Sequence, residues 1–347
     1  MPIIKLQGQL EKQKGVYYEV DPTEDPIGIG GMGRVYKGRC VNIQTHEVKP
    51  VAIKFMFEDL PMHAIERARR EASIQLRNDN LVEMLGFIET LDDMGNGQKV
   101  KHYHVVSELL HGVPLSEMLD GNVSDYEGNE VPFAVEMLRM YKEEPEQFAI
   151  KIVKSVLAGI MALHDNGYIH RDIDPSNIML TADNHIKLID FGIAKKLNML
   201  SATDNTPTND YQRERIVGKP KYAAPELVRA DNDNQNQTTD IYSIGILLFQ
   251  LTCGFLPFDG SVEEVMQMQL TKDLPLSDVS NPALRNIIKC ATEKKQEKRF
   301  QSASEFRVAL DTMPPHPGPR PLPVKTIIIV TAGAILGLIV GVCLALL

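Results

Sequence analysis

A chain of 347 residues with 43% hydrophobic and 24% charged residues has the balance of a globular protein with one large core or two moderate lobes. Its net charge of −9 excludes a typical nucleic-acid binder, which needs a basic face to displace counterions. The four cysteines, Cys40, Cys253, Cys290 and Cys343, are widely scattered without CxxC spacing, so neither a disulfide framework nor a zinc site is implied.

Residues 1–16 lack the apolar core of a secretory signal and read as an N-terminal extension. Next comes Gly28-Ile-Gly30-Gly-Met-Gly33-Arg-Val35, a GxGxxGxV pattern whose glycines let a backbone approach phosphate oxygens and offer N–H donors. In a dinucleotide-binding fold this motif would open a helix. Here Arg34–Gly38 continues as a strand, and a second strand, Val51–Phe57, carries Val51-Ala-Ile-Lys54. The spacing predicts a helix over Ala64–Leu76, which offers Glu71, with Glu66 as the fallback, to pair with Lys54 and hold its ammonium against phosphates. A further strand is expected at His104–Ser107, then a polar, acidic insertion from Gly121 to Gln147.

Helical periodicity dominates afterwards, over Phe148–Asn166, Asp240–Cys253, Ser261–Leu270, Pro282–Thr292 and Ala303–Asp311. A β-rich segment followed by an α-rich one predicts an α+β protein of two lobes. Between the first two helices lie His170-Arg-Asp172-Ile-Asp-Pro-Ser-Asn177 and Ile189-Asp190-Phe-Gly192. Phosphoryl transfer needs a carboxylate to accept a hydroxyl proton and oxygen ligands for a magnesium ion that bridges phosphates. Asp172 supplies the first, and Asn177 and Asp190 the second. Strands at Ile178–Leu180 and His185–Ile189 would bring the two loops together as a hairpin.

The chain ends in a proline-rich stretch and an apolar run. Residues 311–325 read as a stiff juxtamembrane linker. From Thr326 to Leu347 no charge occurs, and as a helix the run would be roughly 33 Å long, the thickness of a bilayer's hydrocarbon. A C-terminal transmembrane helix, 326–347, is the expectation, with Arg320 and Lys325 on a cytoplasmic flank and no domain beyond the membrane.

With Lys54, Glu71, Asp172, Asn177 and Asp190 in this order, the chain resembles the eukaryotic-like (Hanks-type) serine/threonine protein kinases over residues 17–310, and most of all their membrane-attached bacterial members. The resemblance implies an N-lobe over 17–108, a hinge at 109–112 and a C-lobe over 113–310. It implies ATP and Mg²⁺ (or Mn²⁺) as cofactors, with nucleotide contacts from Gly28, Gly30, Gly33, Val35, Ala52, Lys54, Glu108 and Leu110. Metal contacts fall to Asn177 and Asp190, and the gatekeeper position to Ser107. Ala224-Pro-Glu226 matches the end of the activation segment and Arg299 its ion-pair partner. Protein substrates, membrane lipid around the C-terminal helix and no nucleic acid are the implied partners, with a homodimer open as the arrangement for trans-autophosphorylation. The implied location is a bacterial inner membrane with the kinase domain cytoplasmic. Ser201, Thr203, Thr206, Thr208 and Tyr211 are candidate phosphate acceptors, with Arg171 to bind the phosphate.

Two positions depart from the family pattern. Where the family has lysine two residues after the catalytic aspartate this chain has Asp174, and where it has threonine after Gly218 this chain has Lys219. In the family fold these positions are neighbours, so a swap is expected: Lys219 pairs with Asp174 and extends its ammonium toward the γ-phosphate from the opposite wall. Because the displaced lysine marks the serine/threonine members, hydroxyl preference stays open at this point. The rival reading is a pseudokinase, a membrane-tethered scaffold that holds nucleotide without catalysis.

Overall fold

The computed structural model describes residues 3–93, 99–190, 195–196 and 219–314. Alternating burial in the first part of the chain produces strands β1 (Ile4–Leu6), β2 (Val16–Val20), β3 (Gly28–Gly30), β4 (Gly33–Asn42), β5 (Val48–Met56), β6 (Met84–Asp93) and β7 (Lys99–Glu108). They form one antiparallel sheet in the order β1-β2-β4-β5-β7-β6, with β3 folded back on β4. One face closes a core that includes Leu6, Tyr18, Ile53 and Val106.

The stretch expected as an N-terminal extension belongs to this sheet. Ile4–Leu6 pair with Tyr18–Val20, and Leu6 is buried. Helix α1 (Gln9–Lys14) buries Glu11, whose carboxylate accepts the Gly8 amide. Three paired residues are too few for alternation to announce a strand. Helix α2 (Met62–Ala72) starts after Pro61 and packs on β6 and β7, burying Ile65, Ala68, Glu71 and Ala72 at helical spacing.

Strand β8 (Gly112–Pro114) and helix α3 (Leu115–Leu119) begin the second lobe. The expected insertion at 121–147 is more ordered than its composition suggests. It holds α4 (Pro132–Glu143), which Pro132 opens at its first position and whose Phe133, Ala134 and Met137 are buried. Three apolar residues on one face suffice, and the acidic residues around them masked that face in the sequence.

Helices α5 (Pro145–Asp165) and α7 (Gln237–Cys253) form the centre of this lobe, and α6 (Pro225–Val228), α8 (Val262–Thr271), α9 (Pro282–Ala291) and α10 (Ala303–Asp311) surround them. From Thr238 to Phe249 every residue of α7 is buried, as befits a helix enclosed on all sides. Among the described residues, α5 alone is long and apolar enough to cross a membrane, and more than half of its apolar window is buried in the protein. The expected membrane helix, 326–347, and the linker from 315 onward lie outside the described residues.

Short strands complete the site's floor: β9 (Tyr168–Ile169), the hairpin β10 (Ile178–Thr181) and β11 (Ile186–Leu188), and β12 (Lys195–Lys196), which pairs with β9. The chain entering β6 stitches the lobes together. Leu188 donates its amide to the Asn80 carbonyl, Val82 donates to the Leu188 carbonyl, and the Asn80 side chain donates to the Ile186 carbonyl. A Cβ at Gly159 would lie 2.7 Å from the Asn80 carbonyl oxygen, so glycine in α5 is what admits this segment. The hairpin that joins residues 170–177 to residues 189–190 is therefore fastened to the sheet above it.

Candidate active site

The upper wall is built by β3, β4 and β5. Gly28 pairs with Val35 and Gly30 with Gly33, closing a tight hairpin at Gly31 and Met32. A Cβ at Gly28 or Gly30 would meet no protein atom within 4 Å, so nothing in the protein itself demands glycine there. That open surface fits a backbone approached by a ligand. Gly33 is different, because a Cβ would lie 2.1 Å from the Phe55 carbonyl oxygen. Val35 and Lys54 are cross-strand partners, and Ala52 pairs with Ser107 at the start of the hinge. The Glu108 carboxylate is engaged by Lys187 at 2.7 Å and by the Glu83 amide, and the Glu108 amide in turn donates to the Glu83 carbonyl at 2.9 Å, while Leu110 beyond it is half-buried.

Lys54 reaches across the cleft and closes an ion pair with Asp190 at 3.2 Å. Burial pulls its ammonium pKa down, but the charges of Asp190 and Glu71 outweigh burial and the net shift is upward. Lysine therefore stays charged here. Of the two candidate glutamates, Glu71 is buried and its charge acts on Lys54, whereas Glu66 is exposed. Lys54 has Asp190 as an ion-pair partner, and the charge of Glu71, the partner expected from the sequence, acts on it as well.

The lower wall is the loop between β9 and β10. Asn177 sits at the end of a short helical turn, Pro175–Asn177, and its Nδ2 donates to the Asp172 carbonyl at 2.9 Å, Asp172 Oδ2 at 3.0 Å and Asp174 Oδ2 at 3.4 Å. With its amide nitrogen turned this way, its carbonyl oxygen remains as an acceptor. That oxygen and the Asp190 carboxylate make the hard-oxygen donor set a magnesium ion prefers. The pKa of Asp172 is raised, first by burial and then by the negative charge of Asp174. A raised carboxylate pKa makes a better proton acceptor at neutral pH.

Asp174 is 1% exposed and accepts from the Ser176 amide, the Ser176 hydroxyl and Lys219 Nζ, the last at 2.7 Å. Lys219 also donates to Ser176 Oγ at 2.6 Å. The structure thus brings together the two residues that depart from the family pattern.

Sequence reasoning noted Asp240 only as the start of a helix. In the fold it is fully buried and accepts from the amides of His170 and Arg171, at 2.8 and 2.7 Å, and contacts His164 Nε2 at 2.8 Å. Burial would raise its pKa, yet His164 and these donors hold it below the usual carboxylate range. Arg171 has φ +69° and Asp190 φ +62°, a region L-residues rarely adopt, so the clamp on the Arg171 amide holds a strained turn in place. Gln235, which accepts from the Arg171 guanidinium at 3.0 Å, was also missed. An aspartate ahead of an apolar stretch was the only local signal for the clamp.

Beside the cleft, Arg299 grips Glu226 with two hydrogen bonds of 2.8 and 3.0 Å, both side chains being almost wholly buried. The candidate acceptors Ser201, Thr203, Thr206, Thr208 and Tyr211, and Phe191 and Gly192, lie outside the described residues.

Comparison with known proteins agrees with this geometry. A family model described as "Protein kinase domain" matches residues 22–308. The "Probable serine/threonine-protein kinase PknB" of Lactococcus lactis is 29% identical over 82% of this chain and 40% of its own length. Serine/threonine-protein kinase PrkC of Bacillus subtilis is 30% identical over 82% of this chain and 39% of its own. Serine/threonine-protein kinase PknL of Mycobacterium tuberculosis is 28% identical over 83% of this chain and 64% of its own. The chain thus matches less than two thirds of the length of each of these curated relatives.

Proposed function

The chain belongs to the protein kinase domain family, and on that basis we propose that it transfers the γ-phosphate of ATP to serine and threonine hydroxyls of proteins, itself included. The observation that carries this reading is the convergence of Lys54, Asp190, Asn177 and Asp172 in one cleft beneath a glycine hairpin whose outer surface is open. A binding scaffold has no need of a strained, clamped loop presenting a carboxylate of raised pKa.

In this reading the hydroxyl oxygen of the substrate bonds to the γ-phosphorus as the bond from that phosphorus to the ADP oxygen breaks. Asp172 takes the hydroxyl proton. Lys54 holds the α- and β-phosphates, kept in place by the charges of Asp190 and Glu71. Gly28, Gly30, Gly33, Val35 and Ala52 cover the nucleotide, and the backbones of Glu108 and Leu110 meet its base. Mg²⁺, held by Asn177 and Asp190, supplies neutralisation of phosphate charge when bound. Glu226 and Arg299 brace the platform on which a protein substrate lies.

The test is phosphate transfer by the full chain from radiolabelled ATP to itself and to a basic protein. Label is expected with the wild type and lost by at least ~10³-fold in Asp172→Asn, the scale for removing a group that acts in the transition state. ATP binding without any Asp172-dependent label would establish the scaffold instead.

The uncharged run 326–347 supports a single-pass C-terminal anchor that holds the kinase domain at a membrane. The full chain is then expected to sediment with membranes through alkaline carbonate extraction. Loss of 326–347 releases it. Sedimentation unchanged by that deletion would rule the anchor out.

A further inference from the structure

We propose that Lys219 is the cation that meets the γ-phosphate in this protein, supplied from the stretch leading into Ala224-Pro225-Glu226 and positioned by Asp174 and Ser176. The proposal rests on the reading of the cleft as a nucleotide site.

The loop carries two carboxylates close together, Asp172 and Asp174, joined through the amide of Asn177. Across the cleft, Asp190 adds a third, already engaged by Lys54. A triphosphate entering this field brings still more negative charge, and transfer requires neutralisation at the phosphoryl group that leaves. Among the described residues, Lys219 is the lysine attached to residues 172–177; the Arg171 guanidinium on the same loop reaches Gln235.

The donors of Lys219 divide in a suggestive way. An ammonium has three N–H bonds in roughly tetrahedral directions. One goes to Asp174 Oδ1 and a second to Ser176 Oγ. Asp174 is buried and held by the Ser176 amide and hydroxyl, so its oxygens form a rigid seat. The Lys219 side chain is 53% exposed, and among the described residues its ammonium has these two partners. A lysine fixed at two corners, with no third partner among the described residues, is a point charge with a defined direction. Asp174 is then a positioning residue that also loads negative charge next to Asp172, in line with the raised pKa of that base.

The arrangement has a consequence for control. Asp174 lies on the catalytic loop but the cation lies 45 residues further along the chain. Phosphate neutralisation therefore depends on residue 219 being docked against that loop.

The decisive measurement is titration of the full chain with ATP and with ADP in Mg²⁺. Lys219→Thr is expected to weaken ATP about 10-fold or more, the scale of losing one charge-assisted contact, and to leave ADP affinity unchanged. Retained ADP binding shows that the variant is folded. Lys219→Arg, which keeps the charge, should retain most of the ATP preference. In turnover, Lys219→Thr and Asp174→Lys should each lower kcat by roughly 10²-fold, and the double variant should recover most of that loss. An ATP-to-ADP affinity ratio unaltered in Lys219→Thr would overturn the proposal, whether or not transfer is seen. Loss of the ratio in a protein that transfers no phosphate would leave Lys219 as the γ-phosphate contact and remove only the catalytic reading of the cleft.

Discussion

Arg299–Glu226 closes at 2.8 and 3.0 Å with 0% and 5% of its side chains exposed, whereas Lys219–Asp174 closes at 2.7 Å with the lysine 53% exposed. The guanidinium's other N–H groups are taken by the carbonyls of Thr238, Glu293 and Lys294, so every direction of the charge is answered by protein. Among the described residues the ammonium of Lys219 has two partners, Asp174 Oδ1 and Ser176 Oγ. The two pairs teach that contact distance does not reveal an ion pair's task. A buried pair with all donors satisfied locks structure, and a half-exposed pair on a rigid carboxylate leaves charge available to a ligand.

Removing the arginine should break the comparison most visibly. Arg299→Ala leaves Glu226 buried and uncompensated, and a loss of about 3–5 kcal/mol in urea unfolding is expected. A loss below about 1 kcal/mol would show that water reaches this pair and that it is no lock.

The same pair has a pH signature. Burial raises the Glu226 pKa, but Arg299 outweighs it and the net shift is downward. A depressed carboxylate pKa contributes stability that is fully present above the unfolded value of about 4.3 and is lost as pH falls through the folded value. Arg299→Ala should flatten the stability curve over that acid window. An unchanged slope in thermal melts would mean that other carboxylates govern it.

A smaller effect is expected at Asp174. In the proposed reaction Asp172 must be ionised to take a proton, and Asp174, after burial, helps to raise its pKa. Asp174→Asn removes that negative charge, so the acid limb of the kcat/KM profile should move to lower pH. A limb that stays in place would assign the raised pKa to burial alone.

For stability, Lys219→Thr should cost less than Arg299→Ala, about 1–2 kcal/mol, because buried Asp174 keeps the Ser176 amide and hydroxyl as donors when the half-exposed lysine is lost. The smallest effect falls on Lys37–Glu127, an ion pair of 2.6 Å whose side chains are 44% and 39% exposed. Glu127→Ala should change stability by less than about 0.5 kcal/mol. It calibrates the pair series, and a cost equal to that of Lys219→Thr would mean that the buried seat of Asp174 adds nothing.

Much of the site was legible because its signals are local. The GxGxxGxV run, Val51-Ala-Ile-Lys54, His170-Arg-Asp172 and Ile189-Asp190 each place a chemical group on a short local segment. The helices α5, α7, α8, α9 and α10 came within three residues of their predicted bounds because one face of each carries a periodic load. Ile4–Leu6 and α4 were harder, since a three-residue strand and a three-residue apolar face are below what periodicity resolves.

By itself the sequence determined the order of the candidate site residues, the division into a strand-rich and a helix-rich lobe, and the two departures from the family pattern, Asp174 and Lys219. Only tertiary structure decided that Glu71 and not Glu66 faces Lys54, that Asp240 clamps residues 170 and 171, and that the exchanged pair meets at 2.7 Å. The reason is physical. Backbone propensity and periodicity act over a turn or a strand, whereas these decisions join groups 17 to 70 residues apart, at distances set by how helices and sheet pack.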